Sequence, residues 1–230
     1  MTPQNAPGLW KEATQAIRAN LVPGLALWVV AAAVVLSYYL WEPARPVFET
    51  LSRWKLAGGF LYSILATGLF AGLLPFAFLR LFPATRGSAD VATLVFMVLF
   101  WAYRGFEVDL LYRVQGLMFG NEASVSTVAA KVAVDMFVYN VVWAASLQLL
   151  AYHWKNHGFR WSAFSGFDWK KYFFRRLPVA IVSTWVVWLP VVSLTYSLPA
   201  DLQIPLFNLA ACFWALVVAT LTTQTLSPTP

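Results

Sequence analysis

The chain has 230 residues, 60% of them hydrophobic and 11% charged, and its mean hydropathy is +0.65. A soluble domain carries nearer a quarter of charged residues, so this composition cannot cover a water-facing surface and places the chain in a bilayer. A single cysteine excludes a disulfide framework and, with only two histidines, a cysteine-rich zinc site, while the formal charge of +6 lies between apolar runs, as membrane anchoring does and nucleic-acid binding does not.

Residues 1–21 are polar, with Trp10, Ala13, Ile17 and Leu21 at helical spacing, which predicts a short amphipathic interfacial helix with Trp10 at headgroup depth. The first apolar run starts only near Val22 and is long enough to span, unlike a cleavable signal peptide. Arg18 is the only arginine ahead of it and Glu12 is present, so a transit peptide is poorly matched and a bacterial inner membrane is favoured over a mitochondrial or peroxisomal one.

A first span is expected over Val22 to Trp41, closed by Tyr38, Tyr39 and Trp41 as an aromatic belt. A polar connection with Pro43, Pro46, Arg53 and Lys55 follows. The second span runs from about Gly58 to Phe82, carries Gly68-x-x-x-Gly72 for close helix approach, and is expected to kink at Pro75. The third starts near Asp90 and is apolar through Ala102, after which Arg104, Glu107, Asp109 and Arg113 appear within ten residues. It ends at Tyr103 with interfacial charges, or continues through Tyr112 with those charges lining a vestibule. Gly116-x-x-x-Gly120 closes it and is a second motif that permits helix association, including between copies of the chain.

The fourth span covers Ser126 to Tyr152, followed by a basic, aromatic connection from His153 to Arg176. The fifth, Leu177 to Leu198, and the sixth, Leu202 to Thr223, are separated only by Pro199, Ala200 and Asp201, which predicts a tight hairpin. The expected architecture is all-α: a multi-pass bundle over 22–224 of about six spans, or four or five if some segments are interfacial, with a disordered tail at 225–230. Six spans would place ten basic residues on the amino-terminal side, six of them between Lys155 and Arg176, against six on the other side. That asymmetry puts both termini inside.

Ionisable residues at membrane depth are costly and normally face a bundle interior or a water-filled cavity. Lys131 and Asp135 are four apart and fall on one helix face, with Asn140 extending it; Arg104 with Glu107 and Asp109 with Arg113 have pairing distances of three and four. The alternative is that Lys131 snorkels to the interface with Asp135 beside it. His153 and His157 could share a helix face, but no third ligand is near, so no metal site is expected. Ser162, Ser165 and Ser183 lack a nucleophile-elbow context, and no phosphate loop or dinucleotide fingerprint occurs. No enzyme and no cofactor are expected.

Three pieces of the second half resemble the Mpv-seventeen family of four-helix peroxisomal and mitochondrial-type membrane proteins, in the family's order. Gly105 to Tyr112 occupies the place of its Gly-Pro-x-x-His-x-Trp-Tyr motif, matching at Gly105 and Tyr112. Lys131-x-x-x-Asp135 stands where the family has Lys-x-x-x-Asp-Gln, with Met136 in place of the glutamine. Trp188-Leu189-Pro190 resembles its Trp-Pro signature, followed by Pro199, by Gln203 where arginine is usual, and by Trp214 as the late tryptophan. The resemblance spans about residues 100–224. It implies a small pore or permeability modulator for ions or metabolites, without catalysis or cofactor. Lys131, Asp135 and Asn140 would then line one wall of a polar seam, with Arg104, Glu107 and Asp109 at a mouth. The rival reading is a membrane scaffold whose Lys170, Lys171, Arg175 and Arg176, interleaved with aromatics, bind anionic lipid headgroups or a protein.

Overall fold

The computed structural model describes residues 8–81 and 90–224, and within these the side chains of all but Leu9 and residues 217–224. The expectations for the first seven residues, for Arg86 and for the tail at 225–230 lie outside the described residues. Among the described residues the fold is all-α, a multi-pass membrane protein with six helices and no strand. Five helices are long and apolar enough to cross a membrane, and the sixth begins as a shorter apolar helix over Ala200–Leu216.

Helix α1 is Leu9–Leu40 and runs through Pro23 without interruption. The helix is continuous across residues 21 and 22, where the interfacial segment is expected to pass into the first span. After a short 3-10 turn, Glu42–Ala44, α2 comprises Arg45–Thr67, broken by non-helical backbone at Gly59, then a π-helical stretch Gly68–Leu73, and Leu74–Leu81. The expected start of the second span near Gly58 falls at that break, and a further helical segment precedes it from Arg45. Pro46 in the first turn suits a helix start, because its missing N–H lies among the amides that have no intrahelical acceptor there. What reads as a polar connection is thus the first turns of a helix, with Arg53 exposed and Lys55 buried.

Helix α3, Val91–Phe119, opens with Asp90 accepting from the Thr93 amide at 2.7 Å and closes at Gly120, whose φ of 86° suits only glycine. It continues far past Tyr103, so the charged cluster lies within the helix. Helix α4 is Val125–Asn156 with a π stretch at Val134–Ala144; α5 is Trp169–Tyr196 with a π stretch at Tyr172–Arg176; α6 is Ala200–Gln224. The π stretches of α2 and α5 each end shortly before a proline, Pro75 and Pro178. A proline ring clashes with the carbonyl four residues back, and widening the preceding turn relieves that clash without breaking the helix.

The helices belong to two compact units. The first holds residues up to Trp28 together with Val132–Val191. In it α1 lies along α5: Asn20 donates to Ser183 at 2.5 Å, the Trp28 indole donates to the Val187 carbonyl at 2.9 Å, and Gly24 meets Val187 closely. Arg175 grips the Glu12 carboxylate through two hydrogen bonds of 2.6 Å. The starts of α1 and α5 therefore share one end of the unit, as an even number of crossings between them requires. Ala145, Tyr172, Leu177 and Ile181 form its apolar core.

The second unit holds Val29–Lys131 and the chain from Val192 onward. Here α2, α3 and α6 pack together, and small residues set the approach. Added methyl groups at Gly68 and Gly72 would press on Ala102, Val98 and Met97 of α3, and one at Gly105 of α3 would press on Ser63 and Thr67 of α2. The Gly68-x-x-x-Gly72 motif thus serves contact within the chain. Away from these contacts the helices present Leu56, Leu61, Leu65, Leu99 and Leu110 outward, the lipid-facing arrangement of a bilayer protein.

Candidate functional site

Ser63 and Thr67, four apart, share one face of α2 beyond the break at Gly59, and Lys55 reaches the same carboxylate as Ser63 from the segment before it. These residues face α3, where Arg104, Gly105, Val108, Asp109, Tyr112 and Gln115 are buried positions. Asp109 is the centre of the arrangement. It is 3% exposed, and its carboxylate accepts from Lys55 Nζ at 2.8 Å and Ser63 Oγ at 2.7 Å, both on Oδ2. Arg113 Nε reaches Oδ1 at 3.1 Å, which is the expected pairing four residues along the helix.

Gly59 breaks the α2 backbone, with φ 53° and ψ −128°, a conformation that a side chain would strain. Its carbonyl receives Lys55 Nζ at 3.2 Å and Ser63 Oγ at 3.4 Å. Arg113 covers this break: its guanidinium stands 4.2 Å over the Phe60 ring, and its side chain is 47% exposed. One buried carboxylate thus holds a buried ammonium, a hydroxyl and a partly solvated guanidinium. Each member of the cluster is thus hydrogen-bonded, the condition under which buried polar groups are tolerated.

The polar seam continues in both directions. Thr67 donates to Asn208 of α6 at 2.5 Å, and Gln115 donates to the Tyr196 hydroxyl at 2.8 Å, both deep in the unit. Tyr196 packs edge-on against Tyr112 at 5.0 Å and offers its face to the Lys131 ammonium at 5.6 Å. Gln115 Oε1 is buried with no hydrogen-bond partner among the described residues. Arg104 and Glu107 form their expected pair at 2.8 Å, with side chains 9% and 10% exposed.

The predicted site residues are divided between the units. Lys131 lies in the second, while Asp135 and Asn140 lie in the first, and all three are buried. The pairing of Lys131 with Asp135 expected from their spacing would thus join residues assigned to different units. The helix changes to π geometry at Val134. In the first unit the π stretch turns the Met136 carbonyl to the Trp185 indole, which donates to it at 2.8 Å.

The residues of the family-like motifs have packing roles. Gly105 gives α3 its contact with α2, Tyr112 meets Tyr196, Gln203 donates to the Leu198 carbonyl at 3.1 Å beside Pro199, and Trp188 and Trp214 are buried. Pro190 sits inside α5.

In the first turns of α5, Lys170, Lys171 and Arg176 are exposed, with Trp169, Phe173 and Phe174 exposed among them and Trp161 exposed on the connection before it. Arg175 is held by Glu12 and does not belong to that exposed set. His153 and His157 stack at 4.1 Å, and His153 Nε2 contacts the Ala163 carbonyl at 3.2 Å, so the pair joins the aromatic packing of the connection.

Lys55, Ser63, Thr67, Gln115, Tyr196 and Asn208 were not singled out by sequence. The available signal was the four-residue repeat of small and polar side chains from Lys55 to Thr67. Comparison with known protein families, with curated proteins and with solved structures finds no match.

Proposed function

We propose that the chain is a small, weakly selective pore or permeability modulator for ions or metabolites, resembling the Mpv-seventeen family, in a bacterial inner membrane. The observation that carries this reading is the continuous buried polar stripe of the second unit, from Lys55 and Asp109 to Gln115 and Lys131, in helices whose other faces are apolar. Ionisable groups at such depth are retained where they serve a path or a partner. Charges of both signs along one wall favour passage of water and small solutes with weak charge selectivity, unlike a ring of one sign. No reaction and no cofactor enter this reading.

Single-channel recording of the purified chain in a planar bilayer is the test. Discrete openings whose ion selectivity shifts in Lys131→Ala support a conducting path. Silence from folded, inserted protein overturns it.

The second reading, a scaffold held to anionic lipid, is favoured by one specific observation: Lys170, Lys171 and Arg176 stand exposed among exposed aromatics where α5 begins. That is the composition of a headgroup-layer anchor. Anionic phospholipid retained through purification by the native chain, and lost when these three residues are neutralised, supports it.

A further inference from the structure

The oxygens gathered at Gly59 have the make-up of a cation site. They comprise a carbonyl at a backbone break, a serine hydroxyl and a carboxylate, all within one buried cluster of α2 and α3. Broken membrane helices with turned carbonyls and a nearby acidic group are a recurring way of holding Na⁺. Here the positive charge at the centre is the ammonium of Lys55, which donates to both Asp109 Oδ2 and the Gly59 carbonyl. Lys55 lies ten residues into α2, about 15 Å of helix from Arg45, and is 5% exposed, so its reach into the cluster is not that of a surface lysine.

We propose that the Gly59 carbonyl, Ser63 hydroxyl and Asp109 carboxylate form a monovalent-cation site which the protein fills with its own Lys55 ammonium, so that free cations are refused there. Lys55 is thereby a specificity-determining residue. Arg113 donates to both carboxylate oxygens, Nε to Oδ1 at 3.1 Å and Nη2 to Oδ2 at 3.5 Å, and covers the break from the side of Phe60, while Oδ2 takes its shorter contacts from the ammonium and Ser63. Removing the ammonium leaves the three oxygens one positive charge short, with Arg113 still on the carboxylate, and a space of about one side-chain end, which Na⁺ would enter. The binding part of this proposal stands without conduction. Its consequence for permeation, discrimination against cations, rests on the pore reading above.

The test uses the full-length protein, purified with Na⁺ present throughout and then exchanged. Thermal unfolding, followed by intrinsic tryptophan fluorescence, is compared in NaCl and in choline chloride of equal ionic strength. The wild type is expected to melt at the same temperature in both. Lys55→Ala and Lys55→Ser are expected to melt higher in NaCl than in choline chloride, by about 3 °C or more, as a ligand bound only by the folded state requires. Adding Asp109→Asn to either variant is expected to abolish the difference.

No Na⁺ effect in either variant, or one that survives Asp109→Asn, overturns the proposal. So does a wild type whose own Na⁺ response disappears in Asp109→Asn, because the site would then not be filled by Lys55. Failure of both variants to fold even in Na⁺ also counts against it, since Na⁺ is meant to supply the missing charge. The same variants in planar bilayers separate the two readings. A Na⁺-dependent melt with silent bilayers keeps the site and removes the pore. Conductance without any Na⁺-dependent melt keeps the pore and removes the site.

Discussion

Asp109 shows how the surroundings of one side chain decide its energetic weight. Exposed i, i+4 pairs contribute a few tenths of a kcal/mol to about 1 kcal/mol, because water competes for both partners. At 3% exposure Asp109 has no water to fall back on and depends on Lys55, Ser63 and Arg113. Truncating one partner of such a buried pair leaves the other uncompensated. Lys55→Met alone is therefore expected to cost about 3–5 kcal/mol, and pairing it with Asp109→Leu should restore most of that loss. Denaturant unfolding of the two proteins checks this; equal stability of the single and double variants would mean the carboxylate is not dependent on the ammonium. Arg175 presents the opposite case. Its partner Glu12 is partly exposed, so Arg175→Gln should leave anionic-lipid retention unchanged, whereas Lys170→Gln with Lys171→Gln should weaken it by about 1 kcal/mol per charge. Lipid quantified in the purified proteins distinguishes the two.

At the scale of the element, α2 and α3 are built to approach closely and to place polar groups where they meet. Gly105 faces the Ser63 carbonyl and the Thr67 side chain with no room for a Cβ. Gly105→Ala is accordingly expected to force the two helices apart and destabilise the fold by about 1–3 kcal/mol, the usual cost of overpacking. It should also weaken the Thr67–Asn208 hydrogen bond, since Thr67 is the group displaced. Unfolding measurements beside Gly166→Ala provide the contrast, because a Cβ there meets nothing and only the left-handed backbone, at φ 76°, is penalised. A larger loss at Gly166 than at Gly105 would contradict the close-approach argument. The π stretches belong to this scale too. They accommodate Pro75 and Pro178, so replacing either proline by alanine should be tolerated, with the wide turn no longer demanded by the ring.

For the whole molecule, burial sharpens the argument about orientation. Of the six basic residues assigned by sequence to the side opposite the amino terminus, Lys55, Arg104 and Lys131 are buried, leaving Arg45, Arg53 and Arg113 exposed. On the amino-terminal side, Lys11, Arg18, Arg80, Arg160, Lys170, Lys171 and Arg176 are all exposed. Buried charges are satisfied by protein and do not anchor loops in the same way, so the exposed asymmetry is stronger than the raw count. Cysteines introduced at Lys11 and at Arg160, with Cys212 replaced, are expected to react with an impermeant thiol reagent only from the cytoplasmic side. Labelling of either from outside would reverse the orientation.

Hydropathy by itself determined that this is an all-α, multi-pass membrane protein, and placed six helices with the breaks at Trp41, Asp90, Gly120 and Pro199 near their observed positions. Those features are local: apolar runs long enough to cross a bilayer, bounded by caps and turn residues, need no knowledge of neighbours. Pairings within one helix, Arg104 with Glu107 and Asp109 with Arg113, were legible for the same reason. Only the tertiary structure decided that a helical segment from Arg45 precedes the apolar run, joined to it through the break at Gly59, and that it carries Lys55 into the interior. It also decided that Asp109 joins two helices, that Lys131 meets Tyr196, and that Arg175 is held by Glu12. These partners are separated by dozens of residues or more, and a lysine bound for the interior has the same local signature as one bound for water. Burial and long-range pairing are properties of how helices pack, and no window of sequence contains them.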